Sequence, residues 1–293
     1  MGPLSAAPFF NGKFTVTDLM KNVVAVIKET ADEIILPRFK ALTSEQIKEK
    51  SGPGDLVTIA DIEAEEKLSK VFKQLVIGSQ VVGEEITSKK PDTINLLSSE
   101  QLVWVIDPID GTKNFTKGNH FFCTMVCLLR FGTPVLAVIF DPLNDRYIAA
   151  EEGSGSWLHE ATSISAEKLK VCEVVELDQM SGFLSLGGFR DRVTRDKMRS
   201  SANQIFKSYD NLGCTGHEYV EIVTGNKHFT VNYKTFPWDH LPGSLIHLEA
   251  GGYQASFDGG KYDPTKLTRG LITAPNELAW KNIRKKFLHS YLS

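Results

Sequence analysis

Trp104-Val105-Ile106-Asp107-Pro108-Ile109-Asp110-Gly111-Thr112 is an apolar run that stops in two carboxylates, a proline and a glycine. Leu102 to Ile106 reads as a strand. Pro108 fixes the backbone after Asp107 and Gly111 permits a tight turn, so both carboxylates can project into one space with the Ile109 carbonyl between them. Taken alone, the same segment also fits an Asp-Pro/Asp-Gly turn whose side chains bond the backbone.

Working outward, Val81-Val82 before Gly83 predicts another short strand, with Glu84 and Glu85 at its end. Phe121 to Phe131 and Pro134 to Phe140 predict two more. The run from Phe121 shows no alternation, which marks a strand covered on both faces, so helices should flank the sheet. Upstream, Leu19, Val23, Ile27, Ala31 and Ile34 recur at helical spacing after Thr17 and Asp18, up to Pro37. A polar stretch, Ser51 to Asp55, leads to a second helix carrying Ile62, Leu68, Phe72 and Leu75, with Asp61 at its start. Glu63, Glu65 and Glu66 fall on its polar face and read as structural.

Downstream of Glu151-Glu152-Gly153 the expected elements are a strand at Gly182 to Leu186 and helices at Arg195 to Phe206 and Glu218 to Val223. A further helix opens at Trp238-Asp239 and ends at Gly251-Gly252, with Pro242 tolerated in its first turn. Locally, Asp61 and Asp239 each read as an N-cap worth about 1 kcal/mol. A boundary near residue 150 divides an α+β lobe, 1–150, from an α/β lobe, 151–293.

The 293 residues carry 33 Lys+Arg against 36 Asp+Glu, a net charge of -3, with 42% hydrophobic and 24% charged residues. That balance fits a globular protein and disfavours nucleic acid as the main partner. No apolar run reaches the roughly 20 residues of a membrane helix. Met1 to Phe10 lacks a signal peptide's basic start and apolar centre, and the four cysteines, Cys123, Cys127, Cys172 and Cys214, contain no C-x-x-C pair. The expectation is a cytoplasmic protein with free thiols. Asn114-Phe115-Thr116 matches a glycosylation pattern, which a cytoplasmic chain does not use.

If Glu84, Asp107, Asp110 and Asp239 converge, each pair about 4 Å apart repels by roughly 4 kcal/mol at an effective dielectric of about 20. Such a cluster requires cations. Carboxylate and carbonyl oxygens suit magnesium, whereas zinc prefers His and Cys. The seven histidines show no metal-ligand spacing, although His240 lies beside Asp239.

Four blocks then stand in order: Asp55-Leu56-Val57-Thr58-Ile59-Ala60-Asp61; Gly83-Glu84-Glu85; Asp107-Pro108-Ile109-Asp110-Gly111-Thr112; and Trp238-Asp239 followed by Gly251-Gly252. In these blocks, across most of its length, the chain resembles the inositol monophosphatase family of magnesium-dependent, lithium-sensitive phosphatases. The resemblance implies a layered αβαβα sandwich, two or three magnesium ions and a homodimer. It implies metal ligation by Glu84, Asp107, the Ile109 carbonyl, Asp110 and Asp239. Asp61 and Thr112 would orient and deprotonate the attacking water, and the amides of Gly111 and Thr112 would hold phosphate at a helix start.

The leaving-group side departs from the family pattern. Members that hydrolyse inositol phosphate carry an acidic residue where this chain has Asn232, and Gly213-Cys214-Thr215 stands where the family lines the sugar side of the pocket. Glu84 and Asp239 would also face the substrate. Lys234 could meet a second anionic group, or be a surface lysine. The expected activity is hydrolysis of a small polyol or sugar phosphate, with inositol 1-phosphate the first candidate. Histidinol phosphate, a 3′(2′),5′-bisphosphate nucleotide and fructose 1,6-bisphosphate are alternatives. A different alternative is a non-catalytic partner of transcription or ribosomal-RNA-maturation machinery, as some bacterial members are.

Overall fold

The computed structural model describes residues 16–291 apart from 51, 53, 162, 164, 190, 268 and 269. The reading of Met1 to Phe10 lies outside these residues. Helix α1 (Val16–Thr30) is followed by a hairpin of β1 (Ile47–Glu49) and β2 (Leu56–Thr58), then α2 (Ile59–Leu75). Next come β3 (Gln80–Gly83), α3 (Glu84–Lys89), β4 (Leu102–Asp110) and α4 (Thr112–Thr116). Strands β5 (Cys123–Arg130), β6 (Thr133–Asp141), β7 (Arg146–Glu151), β8 (Ser156–Glu160) and β9 (Glu167–Lys168) complete a seven-stranded sheet in the order β3-β4-β5-β6-β7-β8-β9.

The second sheet has the order β11-β10-β12-β14-β13. It is built from β10 (Ser181–Ser185), β11 (Ser208–Asp210), β12 (Phe229–Asn232), β13 (Tyr253–Ser256) and β14 (Leu271–Ala274). Its helices are α5 (Arg192–Ile205), α6 (Thr215–Val223), α7 (Pro237–Glu249) and α8 (Glu277–Ile283). The expected division at residue 150 falls within β7, inside the first sheet, and the passage to the second comes after Lys168.

Alternation along the strands explains the layers. Trp104 and Ile106 of β4 and Val126 and Leu128 of β5 point to one side, where they pack with Val23 and Ile27 of α1 and Leu68 and Phe72 of α2. Val103 and Val105 point to the other, against Trp238 and Leu241 of α7, and Cys123 and Met125 do the same toward Tyr219 and Val220 of α6. Both faces are apolar, so the β5 sequence carries no two-residue period. Phe183 of β10 joins the α6–α7 layer, while Phe229, Val231 and Ile272 pack on Met198 of α5 and Trp280 of α8. The succession is helix, sheet, helix, sheet, helix, the layered sandwich expected from the sequence. Pro242 differs from expectation: it is the sixth residue of α7, inside the helix, where it removes one intrahelical bond.

Candidate active site

The β4 strand does not stop at Ile106 but continues to Asp110 with an irregularity. Asp107 pairs with Met125 and Asp110 with Cys123, so three steps on β4 match two on β5. This is a β-bulge. Residues three apart on a regular strand face opposite sides of the sheet; the extra residue turns Asp107 and Asp110 to the same side, the one covered by α6 and α7. Thr124 fastens the bulge by donating to the Pro108 carbonyl at 2.9 Å, and the Ile109 amide donates to Asp107 Oδ1 at 3.1 Å.

Neighbouring elements bring the other acids to this point. Strands β3 and β4 are parallel with Gly83 opposite Ile106, so the next residues, Glu84 and Asp107, leave the sheet side by side. Trp238 and Leu241 pack on Val103 and Val105 and thereby carry Asp239, in the first turn of α7, over the same strand end. Burial, reinforced by the charges of Glu84, Asp110 and Asp239, holds Asp107 well above the usual carboxylate range. Burial with the charges of Asp110 and Glu84 does the same to Asp239, and burial raises Glu84. The geometry thus brings together all four acids singled out in the sequence.

The N-cap of α2 is Thr58, and Asp61, expected as the cap itself, stands three residues on and completes a capping box: its Oδ2 accepts from the Thr58 amide at 2.8 Å and the Thr58 hydroxyl at 2.5 Å. Its Oδ1 accepts from Thr112 Oγ1 at 3.1 Å, and that hydroxyl also lies 3.0 Å from the Ile109 carbonyl. Burial pushes Asp61 up to about 6, against the pull of the Thr58 hydroxyl. Asp239 is likewise not an N-cap; Phe236 occupies that position, and no side chain caps α7. Gly111 has φ +88°, and a Cβ there would lie 2.6 Å from the Phe121 carbonyl, so the turn into α4 requires glycine.

Lys50, which the sequence reading passed over, and Glu65, which it placed on a polar face as structural, hold the acids in place. Lys50 donates to Glu84 Oε1 at 2.5 Å and Glu85 Oε1 at 2.9 Å. Glu65 is not on a solvated face: it is 2% exposed and accepts from the amides of Glu85 at 2.8 Å and Ile86 at 2.7 Å, closing the start of α3. Gly83 leaves room for it, since a Cβ would meet the Glu65 carboxylate at 2.3 Å. The signal was available, because Asp61, Glu65, Leu68 and Phe72 form one buried stripe of α2. Glu63, by contrast, is a surface partner of Arg38.

On the leaving-group side, Asn232 is buried and donates to Thr230 Oγ1 at 3.1 Å. Gly213 is exposed and Thr215 half-buried, but Cys214 does not line an open pocket: it is 2% exposed with its thiol 3.2 Å from Asp110 Oδ2. Asp110 Oδ2 also accepts from the Gly216 amide at 2.5 Å. Lys234 is exposed, and His240 bridges the Tyr219 hydroxyl and the Lys234 carbonyl, each at 3.2 Å.

Oxygen donors gathered at this charge density fit divalent cations of the hard class. The comparisons agree with that chemistry. The model of the inositol monophosphatase family matches residues 16–290. An inositol-1-monophosphatase of Bacillus subtilis is 26% identical over 264 residues, 90% of this chain and 94% of its own. A Nus factor SuhB of Xylella fastidiosa is 27% identical over 81% of this chain and 82% of its own. Among solved structures, a staphylococcal inositol monophosphatase-1, described as a 100 mM LiCl soaked inhibitory complex, superposes with a TM-score of 0.80 at 19% identity, covering 96% of this chain and 98% of that one. Fold and family together define a metal-dependent phosphatase of small phosphorylated compounds. The chain belongs to the inositol monophosphatase family.

Proposed function

We propose that this phosphatase uses magnesium to hydrolyse the monoester of a small polyol or sugar, with inositol 1-phosphate the first candidate. The observation that carries the reading is the β4 bulge, which turns Asp107 and Asp110 to one face beside Glu84 and Asp239. These four side chains and the Ile109 carbonyl would hold two or three ions. Bound there, the ions would polarise the phosphate and make water a stronger acid.

The chain's own residues then have separable tasks. Asp61 and Thr112, already hydrogen-bonded, form a relay in which the Thr112 hydroxyl takes a proton from the attacking water as it passes its own to the Asp61 carboxylate. An Asp61 raised to about 6 is ionised near neutral pH yet basic enough to receive that proton. The amides of Gly111 and Thr112 orient phosphate. Because α4 has five residues, its local N–H groups matter more than any macrodipole. Glu84 and Asp239 border the substrate, while Gly213, Thr215 and Asn232 form the leaving-group side, with Cys214 behind them.

Phosphate release from inositol 1-phosphate, histidinol phosphate, 3′-phosphoadenosine 5′-phosphate and fructose 1,6-bisphosphate, each with magnesium and with chelator, tests the reading. A chelator-sensitive preference for inositol 1-phosphate is expected, with inhibition at tens of millimolar lithium, an order-of-magnitude figure for a labile hard-cation position. Turnover that survives chelation would overturn it. The same proposal includes a homodimer, checked by sedimentation, and a reducing compartment, which suits four free cysteines.

A further inference from the structure

Beneath the acidic cluster, Asp110 meets two thiols from distant parts of the chain. Cys123 begins β5 and Cys214 precedes α6; both are at least as buried as Asp110, at 1% and 2% exposure against 8%. The donor atoms form a triangle: Cys214 Sγ to Asp110 Oδ2 3.2 Å, Cys123 Sγ to the same oxygen 3.8 Å, and sulfur to sulfur 3.8 Å. A tetrahedral zinc ion with Zn–S of about 2.3 Å and Zn–O of about 2.0 Å sets its donors about 3.8 Å apart for two sulfurs and about 3.5 Å for sulfur and oxygen. The triangle therefore has nearly the edges of three corners of a zinc site before any ion enters.

The surroundings are also soft. A Cβ on Gly216 would lie 2.3 Å from Cys123 Sγ and 3.0 Å from Met125 Sδ, so a thioether stands next to the thiols and the glycine keeps the space between them clear. None of these sulfurs belongs to the hard oxygen set assigned to magnesium. Asp110 is shared, and its residual exposure makes it the side from which an ion arrives.

We propose that Asp110, Cys123 and Cys214 form a second metal site for a zinc-class ion, zinc or cadmium, which competes with the magnesium centre for Asp110 and inhibits the phosphatase. On binding, two S–H bonds break, two metal–sulfur bonds form and two protons leave to the buffer. The fourth position is left to water or the Met125 thioether. The inhibitory half rests on the reading of Asp110 as a magnesium ligand; the binding half does not.

The test is cadmium titration of the full chain carrying Cys172→Ala, which removes the half-buried thiol remote from the site. The expected result is an ultraviolet sulfur-to-cadmium charge-transfer band saturating at one ion, proton release in step, and parallel loss of phosphate release that chelator followed by magnesium restores. Adding Cys123→Ala should weaken cadmium binding roughly tenfold or more, since even loss of a partner outside the ligand set costs that much. Cys214→Ala provides a second binding measurement if the first variant folds poorly. Absence of the band, cadmium affinity unchanged in both thiol variants, or binding without inhibition would overturn the proposal. A protein inactive with magnesium alone would instead sink the phosphate-ester assignment, while the band and proton release would still report on the thiol site.

Discussion

Strands β4 and β12 each end in a loop leading to a helix, and their last residues differ in one respect, charge. Asp107 and Asp110 stand among other carboxylates, and burial and like charge raise Asp107. Asn232 is equally buried, but its amide donates to Thr230 Oγ1, which is 2.9 Å from Thr273 Oγ1. The neutral end has a partner within the protein. The acidic end demands something from outside, and that demand is what makes the reaction readable and the leaving group much less so.

Asp107→Asn is the strongest way to break this contrast. On the proposed ligand set, removing this charge should lower magnesium-dependent phosphate release by about 10³-fold or more, beyond the 10–100-fold typical of partners outside such a set. The same change relieves repulsion in metal-free protein, so its melting temperature without magnesium should rise. A fall in that temperature would mean that the carboxylates are not in conflict. Thr112→Ala should cost somewhat less, about 10²-fold in kcat, by removing the hydroxyl of the proposed relay to Asp61. Magnesium dependence should be unchanged, as a magnesium titration of initial rates would show.

Much of this contrast was legible in the sequence because charge inside an apolar run is conspicuous. Asp107, Asp110 and Asp239 interrupt hydrophobic patterns, and the layers follow from strands such as β5 that are apolar on both sides. The bulge was not legible, since nothing local in Asp107 to Asp110 states that β5 will pair two residues against three. Glu65 was misread because its neighbours Glu63 and Glu66 are polar-face residues, while its own position follows Asp61 by one helical turn. The Cys123–Cys214 approach spans 91 residues and depends on how α6 docks on β5. Such long-range pairings leave no trace in spacing.

Glu65 extends the comparison to an acid that is satisfied. Glu65→Ala leaves one buried and one half-buried amide without an acceptor and should cost about 2 kcal/mol by denaturant melts, with loss of activity through misplaced Glu84. Burial, opposed by those two amide bonds, raises Glu65 to about 7. A carboxyl raised on folding stabilises the protein fully below its unfolded value, near 4.5, and loses that contribution as pH rises through about 7. Metal-free protein should therefore weaken across that window, and Glu65→Gln should flatten the profile. An unchanged pH dependence in the glutamine variant would assign the slope to other acids.

The smallest effect is expected at the neutral strand end. Asn232→Ala removes an amide whose one protein bond is to Thr230 Oγ1 among the described contacts, and whose remaining polar capacity can serve a substrate hydroxyl. A single neutral hydrogen bond contributes roughly 0.5–1.5 kcal/mol, so kcat/KM for a polyol phosphate should fall by no more than about tenfold. The change should fall differently on different esters, because it alters recognition of the leaving group. Half-saturating magnesium should stay where it was. If the substitution instead moved the magnesium midpoint, or reduced every ester equally by a hundredfold or more, Asn232 would belong with the acidic cluster, and the division between a charged catalytic end and a neutral selecting end would fail.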